Sequence, residues 1–197
     1  MGKRLVLFDF DGTITYKDTF PEFIAFTNGR TYMISVFILF SPLLLLMKLK
    51  LYNNDRLKQQ VLSFVYKGKD KTILMNWGVA FYEACFDRLV RPMAINEIAK
   101  YAESDRFMVT ASLDVWVKPF ADRLGLSLIS TKAKYVNDKF TGAFDGPNCN
   151  YEEKANYIRK AVDLTQYKEI IAYGDSKGDK AMFNLSTQYF YKPFRQV

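Results

Sequence analysis

The 197-residue chain is 49% apolar and 16% aromatic, carries a formal net charge of +7, and has two cysteines and no histidine. This composition excludes global disorder, and the lack of histidine removes every Ser-His-Asp or Cys-His triad, every His-ligated zinc site and every His general base. Two distant cysteines make no disulfide framework, and the scattered basic residues form no nucleic-acid motif, so the surplus positive charge points to phosphorylated or acidic-lipid partners.

The first element, Arg4–Phe8, is an apolar run of strand length that opens into Asp9-Phe10-Asp11-Gly12-Thr13. Only Lys3 and Arg4 and a short apolar run precede Asp9, so a signal peptide is not expected and a cytoplasmic location is. Carboxylates at i and i+2 share one side of a regular strand, and two like charges that close call for a cation or a shared proton. At the carboxyl end of a buried strand the pair suits metal binding, nucleophilic catalysis or both; its structural alternative is an ordinary Asp-Gly turn.

From Tyr16 to about Ser104 the pattern is helical. Asp18 is an N-cap ahead of Phe20, Phe23, Ile24 and Phe26, and Asn28-Gly29 is a stop. The run Met33–Met47 is apolar all round, too short for a span of about 20 residues, and broken by Pro42. It reads as a buried or interfacial helical hairpin, and Lys48, Lys50, Arg56 and Lys58 behind it keep a membrane-surface role in play. Helices are expected at Asp55–Tyr66, Lys71–Leu89 and Pro92–Ala102.

After Ser104 a parallel α/β alternation follows. Arg106–Val109 and Leu126–Ser130 read as strands around a helix at Leu113–Leu124 that ends at Gly125. Lys134–Tyr135 and Phe140–Phe144 read as a hairpin, Tyr151–Asp163 and Asp179–Leu185 as helices, and Glu169–Tyr173 and Gln188–Tyr191 as strands. The fold class is therefore α/β, a Rossmann-like parallel sheet core (1–15 and 105–197) with a helical cap (16–104) inserted after the first strand. An insert that long is normally a functional module.

Three more groups fall at expected strand ends. Thr110-Ala111-Ser112 offers hydroxyls and backbone N–H groups at the start of a helix, which suit a phosphate oxygen but also an ordinary cap. Lys154 lies in the first turns of a helix, where a cation gains nothing from the dipole. Gly174-Asp175 follows an apolar strand, with Asp179 four residues on. Cys149 reads as a packing residue.

Taken together and in this order, these groups resemble the motifs of the haloacid dehalogenase superfamily: Asp9–Thr13 its first, Thr110 its second, Lys154 its third, and Gly174-Asp175 through Asp179 its fourth. Thr110-Ala111-Ser112 and Tyr173–Ser176 resemble the phosphoserine-phosphatase-like branch, and Asp18-Thr19-Phe20 with the Leu-rich cap resembles the phosphatidylglycerophosphatase C-type proteins. The resemblance implies a Mg²⁺-dependent phosphomonoester hydrolase. Asp9 would be the nucleophile and Asp11 the acid and base, with Thr110 and Lys154 on the phosphoryl oxygens and Thr13 fixing the acid-base loop. Asp9, the Asp11 carbonyl and Asp175 would hold Mg²⁺, with Asp179 in support. Phe10, Thr13, Ala111 and Ser112 would surround the phosphate, and Asp18 and Arg56 are the nearest counterparts of the groups that grip phosphoserine. The shorter acid at Asp18, and Ala111-Ser112 in place of a Gly-Gly element, point away from phosphoserine. The apolar run with basic flanks points instead to a lipid-like or other small organic phosphate, with peripheral membrane contact through the cap. The alternatives are a phosphoserine-phosphatase-like enzyme and a membrane-peripheral phosphate-binding protein without turnover.

Overall fold

The computed structural model describes residues 3–195. Strand β1 (Lys3–Phe8) lies at the centre of a parallel sheet with β2 (Asp105–Leu113) and β3 (Ser127–Thr131) on one side and β6 (Tyr167–Gly174) and β7 (Gln188–Tyr191) on the other, in the order β3-β2-β1-β6-β7. A central parallel strand is covered on both faces and reads as a continuous apolar run, and Leu5, Val6, Leu7 and Phe8 are all fully buried. Val6 and Phe8 join the core shared with α7 (Asp114–Leu124), whereas Leu5 and Leu7 pack towards α8 (Glu152–Ala161) with Ile158 and towards Met182 of α9 (Lys180–Phe183). The parallel register pairs Phe8 with Met108 and with Tyr173. It brings the carboxyl ends of β1, β2 and β6 to one edge of the sheet, where open α/β sheets place their ligands.

Between β1 and β2 the chain forms six helices: α1 (Thr19–Asn28), α2 (Arg30–Leu39), α3 (Ser41–Lys48), α4 (Asn54–Tyr66), α5 (Lys71–Leu89) and α6 (Pro92–Ala99). Asp18 caps α1 by accepting from the Phe20 N–H, and Asn53 caps α4 by accepting from the Arg56 N–H. A narrow neck joins this insertion to the sheet. Thr15 bridges Val90 antiparallel, Tyr16 N–H donates to Leu89 O and Arg91 N–H to Ile14 O, each at 2.9 Å. Helix α6 lies past the neck and is fastened to the sheet, since Tyr173 Oη donates to Glu97 Oε1 at 2.9 Å and Arg106 to Ile98 O.

The insertion is held down by aromatic packing. Phe23 stacks on Trp116 at 5.0 Å and meets Phe81 edge-on, and Phe81 in turn tilts against Phe120. The close approach of α5 to α7 has a backbone cause. Pro119 lies inside α7 and has no N–H to give the Val115 carbonyl four residues earlier. Helix α5 approaches at that carbonyl through Gly78, where a Cβ would overlap the Val115 oxygen.

Several expectations change in detail. Of the two expectations for the apolar run, buried or interfacial, α3 does not fit the first: α2 and α3 meet at a 61° bend at Phe40, where Ser41-Pro42 opens the next helix, and α3 has no buried residue. Ile38, Leu45, Leu49 and Leu51 are 59–72% exposed. Apolar content predicts that a surface seeks a cover but not whether this chain supplies it. Among the described residues no single helix is long and apolar enough to cross a membrane, and α2 with α3 reaches that length only as a bent pair. Strand β2 runs on to Leu113, so Thr110-Ala111-Ser112 belongs to an irregular strand end rather than to a helix start. Its pairing with β3 skips from Thr110 to Leu113. The expected hairpin is present as β4 (Ala133–Val136) and β5 (Lys139–Phe144).

Candidate active site

Asp9 directly follows β1, and its N–H is tied to Tyr173 O of the neighbouring strand at 2.8 Å. Its side chain is buried and accepts from Lys154 Nζ at 2.6 Å and from Thr13 Oγ1 at 2.9 Å. Lys154, only 2% exposed, also donates to Asp179. The two carboxylates, and not the helix dipole, explain a lysine in the first turn of α8. Burial alone would lower its ammonium, but Asp9 and Asp179 outweigh that and hold it above its usual value.

The Asp179 carboxylate accepts from four donors. One oxygen takes Lys154, and the other accepts from the N–H groups of Asp175 and Ser176 and from Ser176 Oγ. Burial would raise it, but Lys154 and the Ser176 donors prevail, so it stays below the usual carboxylate range. Asp9 goes the other way. Burial pushes it up to about 7 against the pull of Lys154, with the Asp179 charge adding to the rise. Asp175 is also raised, by burial first and by Asp179 second, while Arg195 on its outer oxygen at 3.1 Å opposes the rise. One lysine thus faces a surplus of carboxylates.

Oxygen atoms of Asp9, Asp175 and Asp179 lie within 4.8 Å of one another. A hard-oxygen donor set with excess negative charge fits a divalent cation of the Mg²⁺ type. Gly12 makes the approach possible. It adopts φ +80°, and a Cβ there would overlap the Asp175 carboxylate.

Asp11 sits two residues beyond Asp9 and is held by the insertion as well as by the sheet. Its Oδ1 accepts the Thr19 N–H at 2.7 Å and Thr19 Oγ1 at 2.6 Å, at the start of α1, where the helix dipole favours a carboxylate. Its Oδ2 accepts Ser112 Oγ at 2.7 Å and Thr110 Oγ1 at 3.3 Å.

Asp9, Asp11, Lys154, Asp175, Thr110 and Ser112 line a cavity of about 350 Å³ together with Asp18 and Ala111, and the apolar Phe37, Leu44 and Met47 of α2 and α3 form part of its wall; Thr13, Thr19 and Asp179 are buried behind it. Phe10 is fully buried in the core, edge-on to Phe120 at 5.3 Å, and does not line the cavity. Arg56 is also absent from the lining. It is exposed on α4, and Lys58, two residues on, takes the inward place and donates from Nζ to Ala111 O at 2.8 Å. A half-turn offset on a helix could not be resolved from spacing alone, because both residues are basic. Asn148 completes the wall, donating to Asp55 Oδ1 and accepting from Thr131 Oγ1; a lone Asn in a loop carries no sequence signal. Cys149 packs as expected: it is fully buried and burial pushes its thiol up to about 12, far from a reactive thiolate.

Known proteins share this fold. The likeness to a Bordetella pertussis protein of unknown function spans nearly the whole chain, with TM-score 0.83 at 19% identity, covering 96% of this chain and 89% of that one. A substrate-bound phosphoserine phosphatase superposes with TM-score 0.65 at 18% identity, covering 97% of this chain and 86% of that one. In sequence, protein CicA of Caulobacter vibrioides is 33% identical over 195 residues, which is 97% of this chain and 86% of CicA. The family model for haloacid dehalogenase-like hydrolases matches residues 6–184, from β1 to just past α9. With that match covering sheet, insertion and strand-end carboxylates alike, the chain belongs to the haloacid dehalogenase-like hydrolases.

Proposed function

We propose that this hydrolase cleaves phosphomonoesters through an aspartyl-phosphate formed on Asp9, with Mg²⁺ as cofactor. The observation that carries the reading is the buried Asp9 carboxylate, oriented by Lys154 and Thr13 at the floor of a cavity whose wall also presents Asp11. A carboxylate fixed by two donors keeps its reactive oxygen in one place, which is what nucleophilic attack in line with the leaving group requires. Lys154 and the Thr110 hydroxyl, both on the cavity lining, would bind the non-bridging phosphoryl oxygens, where their charge and dipole would act on the transition state. Asp11 gives its proton to the departing ester oxygen and then takes one from the water that hydrolyses the intermediate. Asp9, the Asp11 carbonyl and Asp175 would hold the metal, with Asp179, saturated by its own donors, in support. Bound there, the ion supplies charge that offsets the carboxylates and the phosphate oxygens.

The insertion is read as a cap of α1 to α5 closed at the neck, with α6 counted among the sheet's helices. Its contribution is substrate choice. Phe37, Leu44 and Met47 give the cavity an apolar wall, and the same two helices turn Ile38 and Leu45 outward, with Leu49 exposed just past α3. This supports an amphiphilic phosphate ester presented at a membrane surface, with Lys48 and Lys50 towards acidic headgroups. A second reading, an amino-acid phosphate, is favoured by the opposite charges of Asp18 and Lys58 on the wall.

The test is Mg²⁺-dependent phosphate release from p-nitrophenyl phosphate, followed by a side-by-side panel of lysolipid phosphates, glycerophosphate and phosphoserine. Asp9→Asn is expected to abolish release while keeping the thermal transition. Full turnover in that variant would overturn the mechanism.

A further inference from the structure

Asp11 is held by more donors than an acid and base needs, and they are not equivalent. Building on the proposed phosphatase reading, we infer that Thr19 and Trp116 form a positioning chain that locks one oxygen of Asp11, so that the other carries the proton to the leaving group.

The argument turns on which atoms can donate. An indole N–H has no acceptor capacity, and a threonine hydroxyl has one hydrogen. Trp116 Nε1 donates to Thr19 Oγ1 at 3.0 Å in a fully buried contact. With a lone pair of Thr19 engaged by the indole, its single hydrogen is directed at Asp11 Oδ1, 2.6 Å away. The Thr19 N–H reaches the same oxygen at 2.7 Å. Thr19 is buried at the first turn of α1, and neither Thr19 nor Trp116 lines the cavity. Nothing entering the cavity displaces these two donors, so Oδ1 is fixed from behind.

Oδ2 is different. Its partners, Ser112 Oγ at 2.7 Å and Thr110 Oγ1 at 3.3 Å, are rotatable hydroxyls that line the cavity with Asp11 itself. Both can turn to a ligand. In the first step a bond forms between an Asp9 oxygen and phosphorus, the bond from phosphorus to the ester oxygen breaks, and the proton on Asp11 Oδ2 goes to that oxygen. Trp116 belongs to α7 of the sheet and Thr19 to the insertion. The acid is therefore aimed by a contact made between the two parts of the molecule.

Phenyl phosphates with leaving groups running from p-nitrophenol to p-methoxyphenol test this, because a good leaving group departs without a proton and a poor one needs the acid. The readout is kcat/KM, which covers the step in which the ester bond breaks. Thr19→Val and Trp116→Phe should lose about tenfold activity on the methoxy ester relative to the nitro ester, a part of the roughly 10²–10⁴ that a general acid contributes, because the acid is misaimed and not removed. Thr19→Ser, which restores the hydroxyl, should return the wild-type ratio. The ratio does not depend on how much of a variant is folded, so a loss of stability leaves the test intact. A ratio unchanged from wild type in Thr19→Val, or altered equally in Thr19→Ser and Thr19→Val, overturns the inference while leaving the phosphatase reading in place. A wild type that hydrolyses none of these esters with Mg²⁺ present overturns the phosphatase reading and this inference with it.

Discussion

The floor of the cavity and the outer face of α2 and α3 solve opposite problems. At the floor, charged groups are buried and each is answered: Lys154 by two carboxylates, and Asp179 by four donors. On the outer face, and in the turn that follows α3, apolar side chains of Ile38, Leu45, Leu49 and Leu51 stand in solvent, uncovered by the described residues. Buried charge tolerates little change because any lost partner leaves an uncompensated ion. An exposed apolar face costs the fold nothing to alter, so selection on it must come from something outside the fold.

Removing Lys154 should produce the largest effect. Lys154→Met leaves Asp9 and Asp179 buried together without a cation, and a loss of about 3–5 kcal/mol is expected in urea denaturation. A variant that stays within 1 kcal/mol of wild type, a bound of about the mean single-mutant effect, would mean the floor is not the rigid partner in this comparison. Gly78→Ala should cost about 1–3 kcal/mol in the same assay, because its Cβ overlaps the Val115 carbonyl and forces α5 off α7.

The acidic cluster should also show itself through protons. Burial places Asp9 at about 7, so below that pH the carboxyl is protonated and must release its proton to bind Mg²⁺. Apparent affinity should therefore fall as pH drops below 7, by up to about tenfold per pH unit for one proton, and level off above it. The Mg²⁺-induced shift in Tm at pH 6, 7 and 8 measures this; a shift independent of pH would remove Asp9 from the metal-binding set. The smallest effect on the fold is expected on the outer face. Leu45→Glu and Leu49→Glu should each change stability by no more than about 0.5 kcal/mol, yet reduce co-sedimentation with anionic vesicles. Equal sedimentation of wild type and variants would leave that face without a membrane role.

The same contrast explains what could be read in advance. Strand β1 and the carboxylates after it were legible because a buried parallel strand is apolar without a break and its polar end stands out against it. The limits of α5 were legible too, since Lys71–Leu89 is long, starts after the Lys67-Gly68-Lys69 break and stops ahead of Pro92, which suits the first turn of the next helix. The strand end at Thr110–Ser112 was less so, because Ser and Thr are equally at home in caps and in irregular strands. Lys58 could not be told from Arg56 by residue type, and the role of Trp116 depends on a partner 97 residues away. Whether the apolar run is buried or interfacial could not be read from its residues, for a physical reason. Hydropathy measures an appetite for contact, and that appetite is the same whether the partner is inside the molecule or outside it.

The neck has a further consequence. Because the chain leaves the sheet at Thr15 and returns at Val90 side by side, the ends of the insertion stay a bridge's width apart whatever lies between them. Material can be added to that excursion, or taken from it, without disturbing the order or alignment of the strands below, and loop closure grows only slowly in cost with length. A single chemical floor can in this way be fitted with different roofs, and new substrates reached by rebuilding the roof alone.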